Sequence, residues 1–266
     1  MKSGYTYIDT NIFGILACKP HLLDPIAQFL NDKHQKVVLS EIQALELSEY
    51  VEKISVEFIQ ILKALPVIIS KPAIILYEEE IKSYPNERNL PLEHPILNTH
   101  PEFYFSLLLK SEKLKLHRKN QKQDAQKVES MVKQYKPNFK IDKNKTLESQ
   151  AELFAHHITI QHLTKHYPKE TLTIWKKYNK IDVKVFKTNQ IQGLVNFYRY
   201  YIDNEKPNSH DHADSWHLSY LPYCQYAIIE QRLCSILNRI QKNNKRFTNI
   251  TVRDNRWLEK ELLQLY

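Results

Sequence analysis

Four acidic residues stand where short apolar runs end or helical patterns begin: Asp9 after YTYI, Glu46 within SEIQALEL, Asp214 in DSWHLSYLPY and Glu230 closing YAIIE. In an open α/β sheet, sites form outside the carboxyl ends of the strands, and these are the positions that meet there. Clustered carboxylates suit a hard divalent cation such as Mg2+ or Mn2+, because they supply oxygen and charge and leave coordination positions for water and phosphate. An ion held this way generates a hydroxide and stabilises the leaving oxygen of a phosphodiester. Thr10 and Asn11 follow Asp9 and are suited to fixing the turn and orienting its carboxylate. Ser40 caps the helix carrying Glu46, and His217 lies three residues after Asp214. Glu41 is a rival for Glu46, and Asp211 for Asp214.

The elements that must bring these residues together alternate between strand and helix signals. Tyr5 to Asp9 predicts a buried strand, Asn11 to Ala17 and Asp24 to Asn31 helices, and Lys36 to Ser40 a second strand. Ser40 then begins a helix expected to reach Leu62, with Ile42, Leu45, Val51, Ile54, Phe58 and Leu62 at near-helical spacing. Pro66 to Ser70 reads as a third strand, and the Pro- and Asn-rich stretch from Tyr84 to Pro101 as a loop. Helical periodicity then dominates: Glu102 to Leu109, Ser111 to Gln134, Leu147 to His166, Lys169 to Tyr178 and Val185 to Ile202. A helix from Asp211 to Leu221, a strand Tyr226 to Glu230, a helix Arg232 to Gln241, a strand Thr248 to Val252 and a helix Trp257 to Leu265 close the pattern. The expected fold is α/β, a parallel sheet flanked by helices, built from residues 1–84 and 207–266. Residues 85–206 are expected to form a large helical insertion.

Composition narrows the chemistry. At 266 residues the chain is near the size at which single cores stop growing, roughly 250 to 300 residues. Its three glycines, Gly4, Gly14 and Gly193, are too scattered for a phosphate loop or a dinucleotide fingerprint. Cys18, Cys224 and Cys234 show no paired spacing, which fits a reducing compartment and argues against a thiolate zinc site. No signal-peptide pattern or membrane-length apolar run stands out, so a cytoplasmic protein without membrane attachment is expected. The net charge is +8, and residues 110–145 alone hold twelve Lys or Arg against four acids, leaving the rest about neutral. Such a segment suits a polyanion, since neutralising phosphates releases condensed counterions. Lys113, Lys115, Arg118, Lys119 and Lys122 are the residues expected to contact nucleic acid; the alternative is a solvated helical face.

Taken together, IDTN at 8 to 11, SEIQALEL at 40 to 47 and DSWHLSYLPYCQYAIIE at 214 to 230 resemble a PIN-domain nuclease. The most specific part is the block at 214 to 230: an acid, a histidine three residues later, a Pro-Tyr-Cys turn and a strand ending in an acid. The resemblance covers roughly residues 1 to 84 and 207 to 266. It implies a metal site formed by Asp9, Glu46, Asp214 and Glu230, and an endoribonuclease activity dependent on Mg2+ or Mn2+. Two positions depart from the family pattern. Glu230, preceded by Ile229, stands where an aspartate preceded by Thr or Ser is usual, and Gln225 stands where an aspartate often follows the Pro-Tyr-Cys turn.

Two other readings compete. A catalytically weak or inactive PIN-like module would bind RNA or protein through the basic segment, with Phe197, Tyr198, Tyr200 and Tyr201 beside Arg199 either stacking on bases or packed in the core. The histidines of SHDHADSWH, with His156 and His157, hint instead at an HD-type metal phosphohydrolase, a mostly helical fold that would leave Asp9 and Glu230 unexplained. The expected partner is RNA, single-stranded or structured. DNA stays open as a substrate because phosphodiester chemistry does not select the sugar, and a homo-oligomer or an inhibitory protein partner stays open as well.

Overall fold

A computed structural model describes residues 4–48, 51–112, 126, 129, 130, 133, 140–206, 210–244 and 247–265. Five strands form one sheet: β1 (Gly4–Ile8), β2 (Gln35–Leu39), β3 (Val67–Ile69), β4 (Tyr226–Ile228) and β5 (Thr251–Arg253). Their order is β3-β2-β1-β4-β5, and every neighbouring pair runs parallel, with Thr6 opposite both Val37 and Tyr226. The short apolar strands follow from VVL, VII and YAI, whose side chains are largely buried, as sheets covered on both faces require. From β1 the chain winds outward through β2 and β3, then returns to place β4 on the other side of β1. The strand order therefore reverses between β1 and β4, the place in an open α/β sheet beyond whose strand ends ligands bind.

The helices follow the predicted alternation with instructive differences. α1 (Thr10–Cys18) and α2 (Leu23–Asp32) lie between β1 and β2. The helix expected from Ser40 to Leu62 is two helices, α3 (Glu41–Leu47) and α4 (Val51–Ala64). The Ser48 hydroxyl donates to the Leu45 carbonyl at 2.6 Å, a side-chain bond that competes with helix continuation. α5 (Ala73–Ser83), absent from the sequence reading, follows Pro72, whose ring suits a helix start. α6 (Pro101–Leu109), α7 (Leu147–His166) and α8 (Pro168–Tyr178) match the predicted spans to within a residue or so. The helix expected from Ser111 to Gln134 falls largely outside the described residues.

α9 (Lys187–Phe197) runs into a π-helical turn, Tyr198–Ile202, in which the Asp203 amide reaches back to the Tyr198 carbonyl. α10 (His210–His217) is shorter than the helix predicted from Asp211 to Leu221. Leu218–Tyr223 instead forms a 3-10 turn containing Pro222, which has no N–H to continue an α-helix. α11 (Gln231–Asn243) links β4 to β5, and a final π-helical segment, Trp257–Leu262, leads into α12 (Leu263–Leu265).

Residues on both sides of the expected insertion boundary share one core. Phe105, Leu109, Phe154, Ile191, Leu194 and Phe197 lie in the same buried cluster as Tyr7, Ile8 and Leu39. Among the described residues no helix is long and apolar enough to cross a membrane.

Candidate metal centre

Three chain segments turn directly from strand to helix beyond the carboxyl ends of β1, β2 and β4. Asp9 ends β1 and is the N-cap of α1, in extended conformation, with its main-chain carbonyl accepting from the Phe13 amide at 3.3 Å. Its side chain makes no capping bond. Instead its Oδ2 accepts from the Glu230 backbone amide at 3.3 Å, so the carboxylate turns across the seam toward β4. Glu230 is likewise the N-cap of α11 without a side-chain cap, two residues beyond the end of β4.

Glu46 is delivered by α3, and the start of that helix is tied to Asp9's own strand. Ser40 and Gln43 form a capping box: the Gln43 amide donates to Ser40 Oγ at 3.3 Å, and the Ser40 amide to Gln43 Oε1 at 2.6 Å. The same Gln43 donates from Nε2 to the Ile8 carbonyl, the residue before Asp9. With its side chain spent on both bonds and fully buried, Gln43 fixes the helix against the strand end. Nothing in the sequence pattern singled it out beyond its place three residues after Ser40.

α10 supplies the remaining face. Asp214 and His217 are one helical turn apart and project to the same side. Gln192 on α9 holds this stretch by donating to the Ser215 carbonyl at 2.8 Å and to Ser219 Oγ at 2.9 Å. His217 is buried, its Nε2 in ion-pair contact with Glu46 Oε1 at 3.0 Å, and its Nδ1 is turned to the Tyr7 hydroxyl. Asp214 Oδ2 accepts from Arg199 NH2 at 3.0 Å.

Asp9, Glu46 and His217 each offer a donor atom within 4.8 Å of the other two, and this is the one such group of metal-ligating side chains among the described residues. Ligand bonds of about 2.0 to 2.2 Å place atoms of one shell within roughly 4.4 Å of one another. Small side-chain adjustments therefore close this set around a single ion. Two carboxylates and an imidazole whose second nitrogen already has a hydroxyl partner supply three donors of the kind that Mn2+ and Zn2+ accept, and the oxygens suit Mg2+. Thr10 Oγ1, buried and without a hydrogen-bond partner among the described residues, stands next to Asp9 in the chain.

The electrostatics agree. Burial raises the Asp9 pKa, the charge on His217 opposes that, and Glu46 and Asp214 raise it further, leaving it above the ordinary carboxylate range. Burial alone would discharge His217, but Glu46 foremost, with Asp9 and Asp214, lifts it to about 9. The acids here repel one another and hold His217 protonated, so a metal ion entering the group would take over the charge that the imidazolium supplies and displace its proton.

The residues expected from the sequence thus divide. Asp9 and Glu46 come together, Asp214 lies close enough to act on both Asp9 and His217, and Glu230 meets Asp9 through its backbone amide. His217, expected in support, belongs to the donor group itself. Ser40 caps α3 as expected, and Asn11 is exposed. Glu41, the rival for Glu46, accepts from the Ala73 amide at 3.2 Å and so serves the start of α5. Gln225 sits at the other end of the strands, just before β4, where its Oε1 accepts from Gln35 at 2.6 Å. The Asp211 side chain and Lys113, Lys115, Arg118, Lys119 and Lys122 lie outside the described residues.

His156 and His157 are exposed on α7 and do not join the donor group. Phe197, Tyr198 and Tyr200 are buried, so the aromatic cluster is core rather than a stacking platform. Arg199, in its midst, is placed by the sequence only as a neighbour of these aromatics; it is fully buried and reaches both Asp214 and Glu205. Comparison with known protein families, curated proteins and solved structures finds no match to this chain.

Proposed function

We propose that this chain is a divalent-metal-dependent ribonuclease with a PIN-like arrangement of acids. The observation that carries the reading is the meeting of Asp9, Glu46 and His217 within 4.8 Å at the switch point of an all-parallel sheet. Asp9 and Glu46 would hold Mg2+ or Mn2+ with His217 as the third donor. Bound there, the ion would supply a hydroxide and offset charge on the leaving oxygen.

The chain's own residues do the rest. Arg199 donates to Asp214 and fixes its direction beside the donor group. The Glu230 amide orients the Asp9 carboxylate, Tyr7 fixes the His217 ring, and Gln43 sets the distance between Glu46 and Asp9. Glu230, at the rim of this group, would act on water or on Asp9. The basic segment 110–145 is the source of attraction for RNA in this reading.

Incubating single-stranded RNA with the purified protein in Mg2+ or Mn2+, and again in EDTA, tests it. Cleavage that EDTA abolishes is expected. Binding without cleavage would assign a nucleic-acid-binding module instead.

A further inference from the structure

A groove of about 390 Å3 runs beside the first turns of α11, lined by Asp203, Gln231, Arg232, Ser235, Ile236 and Arg239. Its lining begins at Gln231, the residue after Glu230, whose amide touches Asp9, so one helix, α11, serves both the groove and the candidate metal centre. Resting on the nuclease reading, we propose that this groove binds the phosphodiester backbone of the nucleic acid next to the cleaved bond, with Arg232 and Arg239 as the phosphate ligands.

The groove's construction explains why two arginines stand ready there. The π-helical turn after α9 ends at Asp203, and Asn204 follows in left-handed conformation, φ 51°, which an asparagine tolerates. This turn presents Asp203 and Glu205 toward α11. Arg239 donates from both terminal nitrogens to Asp203, at 2.8 and 2.5 Å, and its guanidinium lies over the Tyr198 ring. Arg232 donates from Nε to Glu205 Oε1 at 2.7 Å. Both forks are therefore held in direction, while each terminal nitrogen of Arg239 keeps a second hydrogen for another acceptor. The two side chains are 43% and 35% exposed at the groove.

A guanidinium pairs with phosphate through parallel N–H bonds, and fixing its direction in advance reduces the ordering cost of that pairing. The first amides of α11, at Gln231 and Arg232, add the positive end of a helix of 13 residues. Glu205 also contacts the buried Arg199, which holds Asp214. A chain of ion pairs thus joins the groove to the acids: Arg232 to Glu205, Glu205 to Arg199, Arg199 to Asp214. A phosphate would meet the second hydrogens of the Arg239 fork with Asp203 still in place, so the carboxylate orients the guanidinium while its charge opposes the incoming anion.

The test is binding of a short fluorescent 2′-O-methyl oligoribonucleotide, which resists cleavage, followed by anisotropy in EDTA over a range of salt. The variant Arg232→Gln/Arg239→Gln should bind at least about tenfold more weakly, with the salt slope reduced by roughly 1.4, about 0.7 for each phosphate contact on a single strand. Asp203→Asn, which keeps an oxygen acceptor for Arg239 but removes the opposing charge, should bind more tightly than the parent, a gain that a folding defect does not produce. Unchanged affinity and slope in the double variant, no tightening in Asp203→Asn, or no binding by the parent would each overturn the groove assignment. Cleavage plays no part in this readout, so a failed nuclease assay and a failed groove are separate results.

Discussion

The Glu230 amide donates to the Asp9 carboxylate at 3.3 Å across 221 positions of sequence, closing the seam between β1 and β4. This bond uses the main chain of Glu230 and the side chain of Asp9. The two acids should therefore answer differently to neutralisation. Glu230→Gln keeps the amide and should reduce metal-dependent cleavage by about 10- to 100-fold, the usual range for a group acting through a ligand. Complete loss of activity with normal melting would show that its carboxylate is itself a ligand.

Tyr7 meets the His217 ring from the side opposite Glu46. Removing its hydroxyl in Tyr7→Phe leaves the imidazole free to change tautomer and tilt. Mn2+ affinity, read by calorimetric titration, should fall by about 10- to 100-fold with little change in far-UV circular dichroism. Equal affinity in parent and variant would remove His217 from the donor set.

Gln43 satisfies the Ile8 carbonyl and the Ser40 amide in a fully buried setting. Gln43→Leu fills the same space and leaves both main-chain groups without partners, at a cost of about 2 to 4 kcal/mol in urea unfolding. Because α3 then loosens from β1, Mn2+ affinity should drop alongside stability. A variant as stable as the parent would mean that water replaces both bonds.

Glu80 offers a test of pH dependence away from the candidate centre. It is buried and accepts from the Thr188 amide at 3.0 Å, from the Thr188 hydroxyl at 2.6 Å and from the Tyr223 hydroxyl at 2.5 Å. Burial outweighs these donors and raises its pKa to about 7, above the unfolded value of 4.5. Between those limits the unfolded chain loses its proton while the fold keeps it, so this group's contribution to stability falls as pH rises through that window. Glu80→Gln should remove up to about 3 kcal/mol of that decline, and so melt higher than the parent at pH 8 but not at pH 4. Parallel melting curves for the two proteins across this range would contradict the assignment.

Strand positions and the helix-start acids were legible because period, turn residues and caps are local signals. Asp9 and Glu46 could be paired in advance since parallel strands deliver their ends to one edge. Two features escaped for physical reasons. Arg199 sits in an aromatic run whose burial was readable, but its partner Asp214 comes from a separate helix, and ion pairing leaves no periodic trace. The break at Ser48 also escaped, because the apolar spacing continues through it while the hydroxyl at 48 turns back on Leu45. His217 is expected from the sequence only in support, and it is the approach of Asp9 and Glu46 from two other segments, beside Asp214 on its own helix, that gives it another role.

The most direct test is cleavage of single-stranded RNA in Mn2+ by purified parent and Asp9→Asn proteins, with thermal melts run beside it. Asp9 carries a charge that the fold already disfavours, so its neutralisation should leave the metal-free protein as stable as the parent or more so. The expected result is cleavage by the parent, its loss in Asp9→Asn, and Mn2+ raising the melting temperature of the parent more than that of the variant. Undiminished cleavage by Asp9→Asn would contradict the metal-centre account.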